Sequence, residues 1–546
     1  MGYQSVKRGT RRKSNTLRKE KTMKEIRIDA QSLPNLSEIG VGLPLYLSNL
    51  SRGRQMTPRS WLFENRDAHV ILKQWIRVMK AGNQKSQFAD QLIEFDLKQM
   101  EKFGPQGGIP SIDSSECYDV IEPLYSSSEY DDALLLKKWF SKAEEFGRVI
   151  FGTKNCLRRR PLAYTSVVKD MSRRGTLATN SGYPRFTRRR KTAAQEVQDA
   201  ENLTAYDYPA IILFRFYHGK LRPVWMFPMS VNLIEASFAV QIQDCLAQSP
   251  VKWVRDYCTP WKGFDHVKSV LTEQWPQKAA IVGGDTTKMD AHMRPAQIKL
   301  VFEIVKWLFQ RKYWNNLEKS LMYICSIDLL WKFDKETNQY VKLEGVHGLA
   351  SGSSWTQLAE TVLQLFMAYI QGTQGQGIGD DFYWTTDMQA DALVEYLGEF
   401  GLPANPAKQS VSEDDLIFLQ RYFHQGFFSR ESGTVLGAYY PTIRALGSMI
   451  YPERFHDPKI WNSDMFCIRN YMILENCVDD PCFDEFVKFV VRGQRDMSSF
   501  AKKSARDLDT LDRIARQVPG LSPTYNQEKR DKPLSCFASI RVAKML

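Results

Sequence analysis

Three segments hold residue types and spacings that can do chemistry. In Ile281-Val282-Gly283-Gly284-Asp285-Thr286-Thr287-Lys288-Met289-Asp290, an apolar run delivers Asp285 to a strand end, and a second carboxylate follows five residues later. In Gly348-Leu349-Ala350-Ser351-Gly352-Ser353-Ser354-Trp355-Thr356, a flexible Gly/Ser loop opens an apolar helix over 358–370 and offers hydroxyls and backbone N–H groups to a ligand. In Gly379-Asp380-Asp381, two adjacent acids sit at a tight turn from which Phe382, Tyr383 and Trp384 leave as a strand, so the carboxylates fall at a hairpin tip.

Such carboxylates suit in-line nucleotidyl transfer at an α-phosphate. Two Mg²⁺ ions, about 3.5–4 Å apart, stabilise the attacking and leaving oxygens of that displacement. Mg²⁺ takes one or two carboxylates together with phosphate oxygens and water. Asp285 and Asp380, on separate strands, can bracket the pair, with Asp381 assisting. Each segment alone is a weak signal: Gly-Asp-Asp is also an ordinary turn, Asp285 a helix cap, and Ser-Gly-Ser-Ser a loop. The specificity lies in their order, within about one hundred residues.

The elements that must position these groups alternate without regular βα units, which predicts an α+β fold. Ile211–Phe216 and Leu221–Met226 flank a His218-Gly219 turn and read as a hairpin. Leu329–Phe333 and Tyr340–Leu343 read as a second one. Helical periodicity runs over 61–103 and 131–151, over a long stretch 295–325 opened by Pro295, and over about 457–475 and 481–494. Residues 28–55 read as an irregular arm. Glycines 372, 375 and 377 make the strand before Gly379 a weak one. Glu413-Asp414-Asp415, among polar residues, reads as solvated.

The 546 residues carry a formal net charge of +12 and 43% hydrophobic residues, enough for several cores. No stretch approaches the roughly 20 apolar residues of a membrane helix. The N-terminus lacks the apolar region of a secretory signal. The nine cysteines have no paired spacing, so reduced thiols are expected and structural zinc is not. Residues 1–27 carry a net +8 and few apolar residues, as a disordered, polyanion-seeking tail does. From Arg158 to Lys191 eleven basic residues face one acid, Asp170, among apolar and turn residues. That block reads as a folded basic surface for a phosphate backbone.

Together the motifs resemble the viral RNA-dependent RNA polymerases, most nearly those of picobirnaviruses and, more distantly, partitiviruses, which have double-stranded RNA genomes. The resemblance rests on Thr179-Asn180-Ser181-Gly182-Tyr183-Pro184, Lys220-Leu221-Arg222-Pro223-Val224-Trp225, the three segments above, and Phe418-Leu419-Gln420-Arg421-Tyr422-Phe423. It covers about residues 150–430. It implies two catalytic Mg²⁺ ions, with Mn²⁺ as a substitute, held by Asp285, Asp380 and Asp381. Asp290 would read the ribose 2′-OH, supported by Ser351 and Thr356, with Gly352 letting their loop move. Many positive-strand relatives place Asn four residues after that threonine. Here the position is Glu360, and Gln357 could supply an amide instead. Arg222 and Lys220 would hold the triphosphate, and Lys408 would protonate departing pyrophosphate. Ser181 and Gly182 would guide template at the entrance, with Arg188, Arg189, Arg190 and Lys191 along its path.

The resemblance further implies a closed right hand with an antiparallel-sheet palm. The expected division is a basic tail (1–27), an N-terminal bridge (28–124), fingers (125–265 and 301–345), palm (266–300 and 346–430), thumb (431–521) and a basic C-terminal tail (522–546). That tail would either enter the central channel or be disordered. Expected partners are template and product RNA, NTPs and a viral capsid protein, with no membrane. A monomer in the virion interior and host cytoplasm is expected. Two rivals stay open: a reverse transcriptase, disfavoured by Asp290 in place of a bulky aromatic, and a structural RNA-binding protein of capsid or nucleoprotein type. The latter would explain the basic segments but not three ordered carboxylate sites.

Overall fold

A computed structural model describes residues 23–84, 86–126, 131–275, 280–284, 286–518, 521 and 532–546. Eleven strands are present among these residues: β1 (Lys24–Asp29), β2 (Ala210–Tyr217), β3 (Lys220–Met226), β4 (Ile281–Gly284), β5 (Leu329–Asp334), β6 (Gln339–Glu344), β7 (Gln374–Ile378), β8 (Asp381–Thr385), β9 (Ser410–Ser412), β10 (Asp415–Phe418) and β11 (Arg421–His424). They form a five-stranded sheet in the order β1-β6-β5-β2-β3, a four-stranded sheet in the order β7-β8-β4-β9, and the β10–β11 hairpin. Every pairing in the four-stranded sheet is antiparallel. No described helix is long and apolar enough to cross a membrane.

Both expected hairpins form. Tyr217 pairs with Lys220 across the His218-Gly219 turn, and Phe333 pairs with Tyr340 across the second. The glycine-rich approach to Gly379 is a regular strand, β7, with Gly375, Gln376, Gly377 and Ile378 buried. Its glycines admit close neighbours, the Tyr383 carbonyl at Gly375 and the Tyr257 ring at Gly377.

Several expectations need correction. Residues 24–27 of the presumed tail belong to β1, whose register on β6 runs from Lys24↔Glu344 to Asp29↔Gln339; residues 1–22 lie outside the described part. The 28–55 arm contains a helix, Gly42–Asn49, anchored by buried Leu43 and Leu47. The long helix expected over 295–325 is two, Pro295–Val305 and Trp314–Tyr323. Between them Phe309 pairs with Arg159, which draws the chain out of the helix axis. The helix expected to start near 457 starts at Ser463, where the Asn462 side chain accepts the Met465 N–H at 3.0 Å.

The chain end is also not a loose basic tail. Ala538–Lys544 is a helix with Ile540, Val542 and Ala543 buried. The Glu475 carboxylate accepts from the N–H groups of Ala538 (3.0 Å) and Ser539 (2.9 Å) at its start. Of the other basic residues there, Lys532 pairs with Glu431 at 2.8 Å, and Lys529 and Arg530 lie outside the described residues.

Two large cores result. One joins residues 33–50, 109–171 and 183–438 around both sheets. The other joins 62–79 to residues from 440 to the C-terminal helix. Residues 24–125 therefore pack against both halves, as β1 on the five-stranded sheet and as the helix Ala68–Asn83 on the C-terminal helices. The nine cysteines are all unpaired.

Candidate active site

The four-stranded sheet brings the acidic segments together. β4 is a wholly buried Ile-Val-Gly-Gly stretch. Its last residue, Gly284, pairs with Phe382, and Ile378 pairs with Asp381 across the Gly379-Asp380 tip. The chain leaving β4 therefore emerges beside the acid pair. Asp285 itself lies outside the described residues. Gly379 takes a φ of +63°, which a side chain resists. Its N–H donates to the Thr361 hydroxyl at 2.9 Å, so the helix Thr356–Gln371 holds the tip from below. Asp380 is exposed at the tip and Asp381 half-buried.

Asp290 sits on a single helical turn, Met289–His292, entered through Lys288 at a φ of +50°. Its backbone carbonyl accepts the Leu349 N–H at 2.7 Å, which fastens this turn to the Gly/Ser loop. The Asp290 carboxyl is hydrogen-bonded to that of Glu360. Burial raises Asp290 above the usual carboxylate range; the Glu360 bond and Arg222 oppose this, while Asp380 adds to it. Glu360, 5% exposed, is held well above the usual range by burial, then by the neighbouring charges of Asp290 and Asp380. Asp290, Glu360, Asp380 and Arg222 thus face one space. The Gln357 carbonyl instead accepts the Trp261 indole N–H at 3.2 Å. Of the two candidates for the missing amide, it is Glu360 that meets Asp290.

The loop from Ser351 to Ser354 is gripped on two sides. The Trp225 N–H at the end of β3 donates to the Ser351 carbonyl at 2.7 Å. Gly352, at a φ of +119°, lies so close to the Trp225 carbonyl that a Cβ there would collide with it. From the other side Glu235, on the helix Met229–Ala247, accepts the Ser353 hydroxyl at 2.6 Å and the Ser354 N–H at 2.8 Å. The Thr356 hydroxyl donates to the Ala350 carbonyl at 3.2 Å and closes the loop. Sequence reasoning missed Glu235 and Thr361. The first carried a signal: one acid inside the apolar stretch Val231–Ala239, where a buried carboxylate must find partners.

The remaining predicted residues are spread around this centre. Lys220 and Arg222 are exposed on β3. Lys408 is exposed after a short turn, Pro406–Lys408, whose Asn405 side chain accepts the Ala407 N–H. Ser181 is fully buried, with its carbonyl accepting the Met229 N–H at 2.8 Å. The Gly182 N–H donates to Asn180 at 2.8 Å, and the Tyr183–Pro184 bond is cis. Arg188, Arg190 and Lys191 are exposed at the start of the helix Arg189–Glu201. Arg189 points inward instead, to the Asn180 carbonyl (3.1 Å) and the Asn232 side chain (2.8 Å).

The donor set at the hairpin tip, two adjacent carboxylates, fits a hard divalent cation. Among the described residues no three His, Cys, Asp or Glu side chains close into a metal cage.

No family model matches the sequence. A curated relative, "Potential RNA-dependent RNA polymerase" of human picobirnavirus (strain Human/Thailand/Hy005102/-), is 26% identical over 486 residues, which are 83% of this chain and 85% of the relative. The likeness is to picobirnavirus RNA-dependent RNA polymerases. Two solved structures share the fold: the RNA-dependent RNA polymerase of a human picobirnavirus and its insertion-loop deletion mutant. Each superposes with a TM-score of 0.73 over 93% of this chain and 97% of that structure, at 21% and 20% identity respectively.

Proposed function

We propose that this chain is a template-directed RNA-dependent RNA polymerase that copies and transcribes a double-stranded RNA genome. The observation that carries the reading is that Asp290 and Glu360 meet within the field of Asp380, which stands at the tip of an antiparallel sheet, with the charge of Arg222 acting on Asp290. A fold shared with picobirnavirus polymerases over 93% of the chain supports it.

In this reading Asp380 and Asp381, with Asp285, hold two Mg²⁺ ions. When bound, these supply Lewis-acid stabilisation of the attacking and leaving oxygens. The chain's own residues do the rest. Asp290 accepts the 2′-OH proton of the incoming ribose. Arg222, with Lys220 beside it, clamps the triphosphate in a planar, bidentate grip. Lys408 would serve as the acid for departing pyrophosphate. The exposed basic helix start at Arg188, Arg190 and Lys191 follows the template backbone. Buried carboxyls hold the sugar pocket in one arrangement before substrate arrives, which lowers the reorganisation needed at reaction.

Template-dependent incorporation of labelled NTPs tests the proposal. Asp380→Ala should lose essentially all incorporation while still binding RNA. Wild-type protein that binds RNA but never incorporates NTPs would favour a structural RNA-binding protein.

A further inference from the structure

The helix Met229–Ala247 lies between two features of the candidate site that are far apart in sequence. At its first turn the Met229 N–H donates to the Ser181 carbonyl, so the helix is planted on the Thr179–Pro184 turn. One turn on, Asn232 and Glu235 lie on the same face, three residues apart. Arg189 donates to Asn232 Oδ1 at 2.8 Å while its Nε holds the Asn180 carbonyl. Asn232 Nδ2 donates to Glu235 Oε2 at 3.1 Å. Glu235 then spends both oxygens on the far loop, one on the Ser353 hydroxyl and one on the Ser354 N–H. Four side chains, those of Arg189, Asn232, Glu235 and Ser353, thus run unbroken from the turn to the loop.

We propose that Glu235 is the positioning residue that fixes the Ser351–Ser354 loop, and that through Asn232 and Arg189 it ties this loop to the Thr179–Pro184 turn, so that the sugar-reading loop and the template entrance move as one body. This rests on the polymerase reading for the names of the two ends, but the relay itself does not. Three physical points carry it. A carboxylate buried at 1% exposure is costly unless its oxygens are used, and here both are. Its acceptors face the N-terminus of the helix Thr356–Gln371, where negative charge is favourable. And on the opposite side the loop is held by backbone alone, the Trp225 N–H on the Ser351 carbonyl with Gly352 pressed against the Trp225 carbonyl, so the side-chain grip on Ser353 and Ser354 is that of Glu235. Burial holds the Glu235 carboxyl up at about 7, which the loop's two donors and Asn232 oppose.

Hydrogen exchange of the 351–355 amides in the free full-length protein is the first arm. Glu235→Gln, isosteric but with one acceptor oxygen, should speed exchange of the Ser354 amide about tenfold, as loss of one buried hydrogen bond does. Ser353→Ala should act alike, and the double variant should be no faster than either single one. Unchanged exchange in Glu235→Gln, or effects that multiply, would overturn the anchor. The second arm adds a single-stranded RNA template. It should slow exchange at 351–355 in wild type, and Asn232→Ala should abolish that slowing. No slowing in wild type, or slowing that survives Asn232→Ala, would overturn the tie. A protein that shows the first arm but incorporates no NTP retains the anchor and loses the polymerase reading. In an active protein, Glu235→Gln should also lower the preference for NTP over dNTP, a readout that a packing defect leaves alone.

Discussion

Glu360 meets Asp290 carboxyl against carboxyl, Glu360 buried and Asp290 half-buried, and both within the field of Asp380. Two carboxylates cannot share a hydrogen bond unless one keeps its proton. Burial and the two neighbouring charges place that proton on Glu360. A neutral Glu360 donates to Asp290 as an amide would. The expected outcome is that Glu360→Gln keeps NTP incorporation within a few-fold of wild type, whereas Glu360→Ala loses about 10- to 100-fold, the cost of an unpaired buried carboxylate. Steady-state incorporation on a homopolymer template measures both. Equal damage from Gln and Ala would show that the donor role is wrong.

In the proposed function Asp290 is the member of that pair assigned to the ribose, since it is the less buried of the two and Arg222 acts on it and not on Glu360. A site built to hydrogen-bond a hydroxyl rejects substrates lacking it, because its polar group is left unpaired. Asp290→Ala should therefore narrow the ratio of kcat/KM for NTP over dNTP by about tenfold or more, chiefly by losing NTP efficiency. Competition between labelled GTP and dGTP gives the ratio directly. An unchanged ratio would remove the sugar-reading role.

How much of this was legible follows from how local each signal is. The β2–β3 and β5–β6 hairpins and the Gly379-Asp380 turn are written in adjacent residues, and all formed as read. The link from Asp290 to Glu360 was not legible, because it depends on how a single helical turn stacks on a helix seventy residues away. Glu235 and Ser353 are 118 residues apart, and only burial makes the acid conspicuous. The broken helix at 306–313 and the buried C-terminal helix failed for one reason: tertiary pairing overrode local pattern, Phe309 with Arg159 in one case and Glu475 with Ala538 in the other. Arg189 shows the same limit within a run of four basic residues, since only the fold decides which one turns inward.

Asp480 gives a stability prediction away from the candidate site. It is fully buried near Asp96, and burial pushes its carboxyl up to about 8. The sign follows from proton binding. Between the unfolded value near 4 and about 8, the native protein holds a proton that the unfolded chain releases. Stability therefore falls as pH rises through that window, by up to ~1.4 kcal/mol per pH unit for this one group. Asp480→Asn keeps the oxygen that accepts the Cys482 N–H at 2.6 Å and cannot ionise. Its Tm should exceed that of wild type at pH 8 and converge with it towards pH 5. Parallel Tm curves from pH 5 to 9 would show that Asp480 does not titrate in this window.

The last prediction separates the arginines that the fold exposes from the one it turns inward. Arg188, Arg190 and Lys191 are exposed at one helix start, and Arg189 is bound to Asn180 and Asn232. A side chain that neutralises a phosphate releases counterions, so its removal lowers both affinity and the salt slope, by about 0.7 per contact on a single strand. Substituting Arg188, Arg190 and Lys191 together by Ala should weaken single-stranded RNA binding most at low salt and flatten log Kd against log salt by up to about two. The triple variant should retain the wild-type Tm, because these side chains lie on the surface. Arg189→Ala should do the reverse, lowering Tm through the lost Asn180 and Asn232 bonds while leaving the salt slope where it was. Fluorescence anisotropy over a salt series distinguishes the two. A slope unchanged in the triple variant would place the template path elsewhere on the basic surface between Arg158 and Arg185.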